Sequence, residues 1–153
     1  MAKLHRYLLD NQCYHVVSTT RGQEPIFSDP DCAESVIEAI QFVSRERAYV
    51  LAYVVMPNHL HALLVPRDNT SISRVMQSIK GYSARIVNEK LGRRGPLWQR
   101  SFYDRMIRNE QQLLETVSYV HMNPVVAGLV EKPEEYPYSS AQQDSLVDLS
   151  VFV

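Results

Sequence analysis

Met56-Pro57-Asn58-His59-Leu60-His61-Ala62-Leu63-Leu64-Val65 decides how this chain is read, because two histidines flank one apolar residue inside a run that otherwise has the character of a buried strand. Side chains alternate faces along a strand, so His59 and His61 point the same way and Leu60 goes into the core. Two imidazoles then stand side by side on a rigid element, and neutral imidazole is a common ligand for divalent metals. An isolated His-x-His is more often a satisfied pair in a core or on a surface. The residues around this one decide between the two readings.

Working outward, Tyr49 to Val55 reads as the strand before it, joined to it as a hairpin through Pro57 and Asn58. Further upstream, Asp29 is a candidate N-cap with Pro30 at the first helical position. Val36, Ile37, Ile40 and Val43 then follow at helical spacing to about Arg47. Cys13 to Thr19 is a first strand, separated from that helix by a loop broken at Gly22 and Pro25. Downstream, Ser71 or Thr70 caps a long helix with Ile72, Val75, Met76, Ile79, Ile86 and Val87 on one stripe, running to about Leu91. After the loop Gly92-Arg93-Arg94-Gly95-Pro96, Leu97 to Ile107 reads as extended. Asn109 caps a last helix, packed through Leu113, Leu114, Val117 and Val120, which Pro124 is expected to end near Asn123.

This order, with a final helix appended, predicts an α+β fold: a ferredoxin-like antiparallel sheet with two helices on one face and the other face free to bind. With no repeat, linker or low-complexity tract, residues 1–153 are expected to form a single domain, of which about 131–153 is a tail.

The chain is 45% hydrophobic and 22% charged, ordinary for a soluble globular protein, and no apolar run approaches the roughly 20 residues of a membrane span. The first residues carry no signal-peptide core, so a cytoplasmic location is expected. Cys13 and Cys32 form no Cys-x-x-Cys, which favours buried thiols in a reducing compartment over a disulfide or zinc knuckle. The net charge of −1 hides an asymmetry: nine basic residues between Arg74 and Arg108 stand against Glu89 and Asp104. A basic stretch on a nearly neutral chain points to a localised polyanion site, and Lys80, Arg85, Arg93, Arg94, Arg100 and Arg105 are its candidate phosphate contacts. Trp98 sits among these cations and reads first as a core residue, second as a stacking platform for a base.

A two-histidine metal site needs another ligand and a reaction partner, and the last helix offers both in Tyr119-Val120-His121-Met122-Asn123-Pro124. Tyr119 and Asn123, four apart, share one helical face. If that face meets the histidine strand, an amide oxygen from Asn123 completes a facial metal site and the phenol of Tyr119 stands beside it as a nucleophile. A free phenol, ionising near pH 10, is a poor nucleophile at neutral pH without a nearby base or cation. His121 is a rival ligand, but two helical positions turn it about 200° from both. His15, on the first strand, reads as structural although it can lie near the histidine pair.

At these residues the chain resembles the one-tyrosine HUH transposases of the insertion-sequence-200-like type, especially the REP-associated tyrosine transposases. The resemblance runs through Tyr14-His15-Val16-Val17, Met56 to His61, Ser78 to Tyr82, Gly95 to Asp104, Tyr119 to Val130 and Tyr136 to Ser140. It implies cleavage and rejoining of single-stranded DNA at hairpins through a 5′-phosphotyrosine, by a prokaryotic, nucleoid-associated enzyme. Carried over by position, His59, His61 and Asn123 are the ligands of Mg²⁺ or Mn²⁺ and Tyr119 is the nucleophile. Two features separate this chain within the resemblance. Insertion-sequence members often carry Gln where Asn123 stands, and the REP-associated branch commonly has Arg where Val126 stands. Insertion-sequence members are homodimers whose tyrosine helix serves the partner's histidines, whereas in the REP-associated branch it can act within one chain; the sequence leaves both arrangements open. Two readings of another class stay beside the strand transferase: a non-catalytic DNA-binding protein derived from a transposase, and a metal-dependent hydrolase of small phosphate esters.

Overall fold

The computed structural model describes residues 12–67 and 69–142. Seven principal elements follow in chain order: β1 (Cys13–Thr19), α1 (Pro30–Glu46), β2 (Ala48–Met56), β3 (His59–Pro66), α2 (Ile72–Leu91), β4 (Tyr103–Ile107) and α3 (Glu110–Val126). The strands form one antiparallel sheet in the order β2-β3-β1-β4, the ferredoxin-like arrangement predicted from the sequence.

Each helix begins where side-chain chemistry starts it. Asp29, Ser71 and Asn109 each accept a backbone N–H of the first turn, from Asp31, Arg74 and Gln112, so donors that the helix leaves unpaired are satisfied. Gly92, at φ 62, closes α2 in a left-handed conformation that an L side chain adopts only with strain. The loop between β1 and α1 holds two short 3-10 turns, and Leu97 to Phe102 is not a strand but meets the end of β1 at the Thr20–Trp98 bridge, where Gln99 donates its N–H to Thr19, before β4 begins.

The sheet is covered on both faces. One buried cluster gathers Val36, Ile40, Leu60, Leu64, Met76 and Ile79 between the sheet and the α1/α2 layer. A second gathers Leu51, Val54, Leu63, Ile107, Leu113 and Val120 beneath α3. The bulge at Leu51, where the β2–β3 register shifts between Val50 and Ala52, puts both Leu51 and Ala52 on the α3 side.

Two details of the last helix depart from expectation. Leu114 is 53% exposed rather than packed, since the stripe that faces the sheet runs through Leu113, Thr116, Val120 and Pro124, and one helical step carries Leu114 about 100° away. Pro124 does not stop the helix near Asn123, which continues to Val126. Proline keeps a helical φ and removes a single donor. The end comes instead at Gly128, φ 77, where Ala127, Gly128 and Leu129 donate to Asn123, Val125 and Pro124. The first part of the tail is held against β2: Tyr136 donates its hydroxyl to the Val55 carbonyl at 2.6 Å, Ser139 bridges Val54, and Ser140 contacts His121 at 2.7 Å. Residues 143–153 of the predicted tail lie outside the described residues.

Candidate active site

Because His59, His61 and Leu63 alternate with Leu60 and Ala62, the histidines emerge on the α3 face while Leu60 is fully buried under the α1/α2 layer. Across the ladder, His59 lies opposite Thr19 and His61 opposite Val17. His15 is opposite Leu63 on one side and Arg105 on the other. Four strand positions thereby place His15, His59, His61 and Arg105 on one face.

The last helix brings its predicted pair to them. The Tyr119 ring stands edge-on to His61 with centroids 5.6 Å apart and to His15 at 6.0 Å, and the phenol is 57% exposed. The Asn123 amide nitrogen is 3.4 Å from Nε2 of His61. A half-turn of that amide presents Oδ1 in its place. His15, His61, Tyr103, Arg105, Glu115 and Tyr119 are among the residues that line a cleft of about 520 Å³.

The imidazoles are held neutral. Burial, then the neighbouring His59 and His15, lowers the His61 pKa to about 3. Burial lowers His59, and burial followed by the Arg105 charge lowers His15. Neutral rings keep a lone pair for a cation, without competition from a proton at neutral pH. Each ring is also oriented through its other nitrogen: Nδ1 of His59 is 2.7 Å from the Asn58 side-chain oxygen, and Nδ1 of His61 is 3.0 Å from Nε2 of His15. The donor set of two imidazole Nε2 atoms and one amide fits a divalent ion, with open positions for water or substrate oxygen. Among the described residues no group of three or more His, Cys, Asp and Glu side chains is arranged to hold a metal; the further oxygen or nitrogen group beside His61 is the Asn123 amide.

His121 is on the opposite side of α3 and anchors Ser140, as its helical phase predicted. Asn58 is the partner that sequence reasoning missed, having been read only as a turn; His15, read as structural, does lie beside the histidine pair, as that reading allowed. The basic candidates scatter. Arg105 alone lines the cleft, and among the described residues it makes no ion pair. Lys80 donates to the carbonyls of Gln99 and Arg100 and pins that loop. Arg85 lies 5.7 Å from the Tyr82 ring, Arg93 faces Glu24 at 4.0 Å, and Arg94 and Arg100 are exposed. Trp98 is core, 4% exposed, donating its indole N–H to Ser83.

Known proteins share both the fold and the chain pattern. Residues 9–123 match the family described as transposase IS200 like. That span includes His59, His61, Tyr119 and Asn123, and the chain belongs to this family. It is 30% identical over 108 residues to the REP-associated tyrosine transposase of Escherichia coli K12, which covers 69% of this chain and 62% of that protein. A relative from Haemophilus influenzae is 28% identical over 104 residues, 61% of this chain and 59% of that protein. The matched part thus spans about three-fifths of the length of both curated relatives. Among solved structures, a REP-associated tyrosine transposase bound to a REP hairpin superposes with a TM-score of 0.72 at 23% identity, covering 93% of this chain and 84% of that one. No helix among the described residues is long and apolar enough to cross a membrane.

Proposed function

We propose that this transposase cleaves and rejoins single-stranded DNA at the foot of a palindromic-repeat hairpin, with Tyr119 as nucleophile and His59, His61 and Asn123 as the ligands of Mg²⁺ or Mn²⁺. The observation that carries this reading is the meeting of two separate elements: the Tyr119–Asn123 face of α3 lies against the histidine face of β3, with Asn123 3.4 Å and the Tyr119 ring 5.6 Å from His61. A bound divalent cation supplies Lewis acidity at a phosphate oxygen and favours the phenolate form of a neighbouring tyrosine.

The chain's own residues account for the rest. The Tyr119 oxygen attacks phosphorus, forming a tyrosine–phosphate bond as the bond to the 3′ oxygen breaks. The phenol proton passes to water, and the departing 3′ oxygen takes one up. The products are a 5′-phosphotyrosine and a free 3′-hydroxyl, and attack by a 3′-hydroxyl reverses the step with no ATP. Arg105, in the same cleft, holds a non-bridging phosphate oxygen and stabilises charge that develops there. Because Tyr119 faces the histidines of its own chain, the reading is catalysis within one chain, on chromosomal DNA of a prokaryotic cell.

Incubation of the protein with Mn²⁺ and labelled hairpin oligonucleotides, followed by a denaturing gel, tests it. A covalent shifted band absent in Tyr119→Phe is the expected result. Cleavage without a band would replace the reading with a hydrolase, and binding with neither would leave a DNA-binding relic.

A further inference from the structure

The reaction above leaves one imidazole of the same sheet face without a task. His15 is 8% exposed and is the diagonal neighbour of His61 across the β1–β3 ladder, where His61 pairs with Val17 and His15 with Leu63. Its Nε2 is 3.0 Å from Nδ1 of His61. The ring planes are within 18° of parallel while the centroids are 5.2 Å apart. Near-parallel rings with so short an N–N contact and so long a centroid separation meet edge to edge, the geometry of an N–H···N hydrogen bond.

Such a bond fixes tautomers, because one nitrogen must carry the proton and the other must accept it. On the far side of the ring, Nε2 of His61 faces the Asn123 amide. For Nε2 to present a lone pair there, Nδ1 must hold the proton, and Nε2 of His15 is the acceptor placed to receive it. His59 has the equivalent arrangement from Asn58, 2.7 Å from its own Nδ1.

We propose that His15 is a positioning residue: by accepting the Nδ1–H of His61 it holds that ring in the tautomer whose Nε2 lone pair faces Asn123, and so sets how tightly the site takes a divalent cation. The proposal rests on the metal site of the preceding section. It assigns the Tyr14-His15 motif a task in the site rather than in the core.

Mn²⁺ titration by calorimetry and electron paramagnetic resonance, on the wild type, His15→Ala and His15→Gln, tests it alongside side-chain ¹⁵N NMR of His61 without metal. Loss of an outer hydrogen-bond partner typically weakens metal binding about 10- to 100-fold, and His15→Ala is expected to fall in that range. His15→Gln, whose Oε1 reaches the same proton, is expected to restore most of the affinity. The His61 resonances should report Nδ1–H in the wild type and in His15→Gln, and lose that single tautomer in His15→Ala. Unchanged Mn²⁺ affinity in His15→Ala overturns the proposal, as does an equal loss in both variants with the His61 tautomer intact. Where His15→Ala does not fold, His15→Leu takes its place. A wild type that takes up no Mn²⁺ with or without hairpin DNA defeats the metal site, while the NMR result still decides whether His15 sets the tautomer.

Discussion

The two faces of the sheet are built from the same strands and behave differently. Toward α1 and α2, every second residue of β3 is apolar and fully buried: Leu60, Ala62 and Leu64 sit in one cluster with Val16 of β1 and Val55 of β2. Toward α3, the far ends of the strands are equally apolar at Cys13, Leu63 and Val65, but the ends nearest Tyr119 hold His15, His59, His61 and Arg105 beside an open cleft. One face is packed along its whole length, while half of the other is released from packing and kept polar. A site on the second half inherits the rigidity of the first, since a strand cannot shift His61 without moving Leu60 and Ala62.

The sharpest way to break that contrast is a pair of substitutions on opposite faces. Tyr119→Phe removes the hydroxyl of an exposed residue: all covalent adduct on the gel should vanish while the unfolding free energy in urea stays within about 0.5 kcal/mol of wild type. Leu60→Ala does the reverse, with a loss of about 2 to 5 kcal/mol from the cavity it leaves and the same adduct per folded molecule below the midpoint. A Tyr119→Phe protein that unfolds early, or a folded Leu60→Ala protein without activity, would show that the two faces are not separate in this way.

A smaller effect comes from pH. His61, with a folded pKa lowered to about 3, and His59 and His15, lowered in the same direction, have an ordinary value of 6.5. Below pH 6.5 the unfolded chain binds protons that the folded chain refuses. Their contribution is therefore complete above that value and is lost as pH falls toward 3. One such proton changes stability by about 1.4 kcal/mol per pH unit. Urea denaturation at about pH 7.5 and about pH 5.0 should show this slope, and His61→Leu should flatten it; equal slopes in both proteins would mean that His61 is not buried neutral.

How much of this was legible in the sequence follows the range of the physics involved. The caps Asp29, Ser71 and Asn109, the strand alternation at His59-Leu60-His61, and the i, i+4 spacing of Tyr119 and Asn123 are local, and each stands in the structure where its spacing put it. The contact between His15 and His61 spans 46 residues and depends on the β1–β3 register, which no local pattern encodes. Leu114 and Pro124 failed for another reason. Hydrophobicity does not say which side of a helix faces its sheet, and a proline in the last turn costs one hydrogen bond rather than the helix. Among the basic residues, charge was visible but direction was not: Arg105 reaches the cleft because its register with His15 puts it there, while Lys80 is bound to loop carbonyls.

The smallest expected effect concerns the C-terminal turn of α3. Val126 is 83% exposed, seven residues beyond Tyr119 and so two turns along the same side of α3, at the position where the resembled branch commonly carries Arg. An apolar side chain so exposed contributes little to folding, so Val126→Arg should leave the unfolding free energy in urea within about 0.5 kcal/mol of wild type. What it adds is a cation two helical turns beyond Tyr119. Each new phosphate contact steepens the dependence of log K on log salt by about 0.7 for single-stranded DNA and about 0.9 for duplex, which fluorescence anisotropy over a salt series resolves. A slope steeper by nearly one places the DNA backbone along the C-terminal turn of α3. An unchanged slope shows that the DNA backbone does not run along the C-terminal turn of α3, and the same substitution made at Tyr103, which lines the cleft, then tests the sheet side.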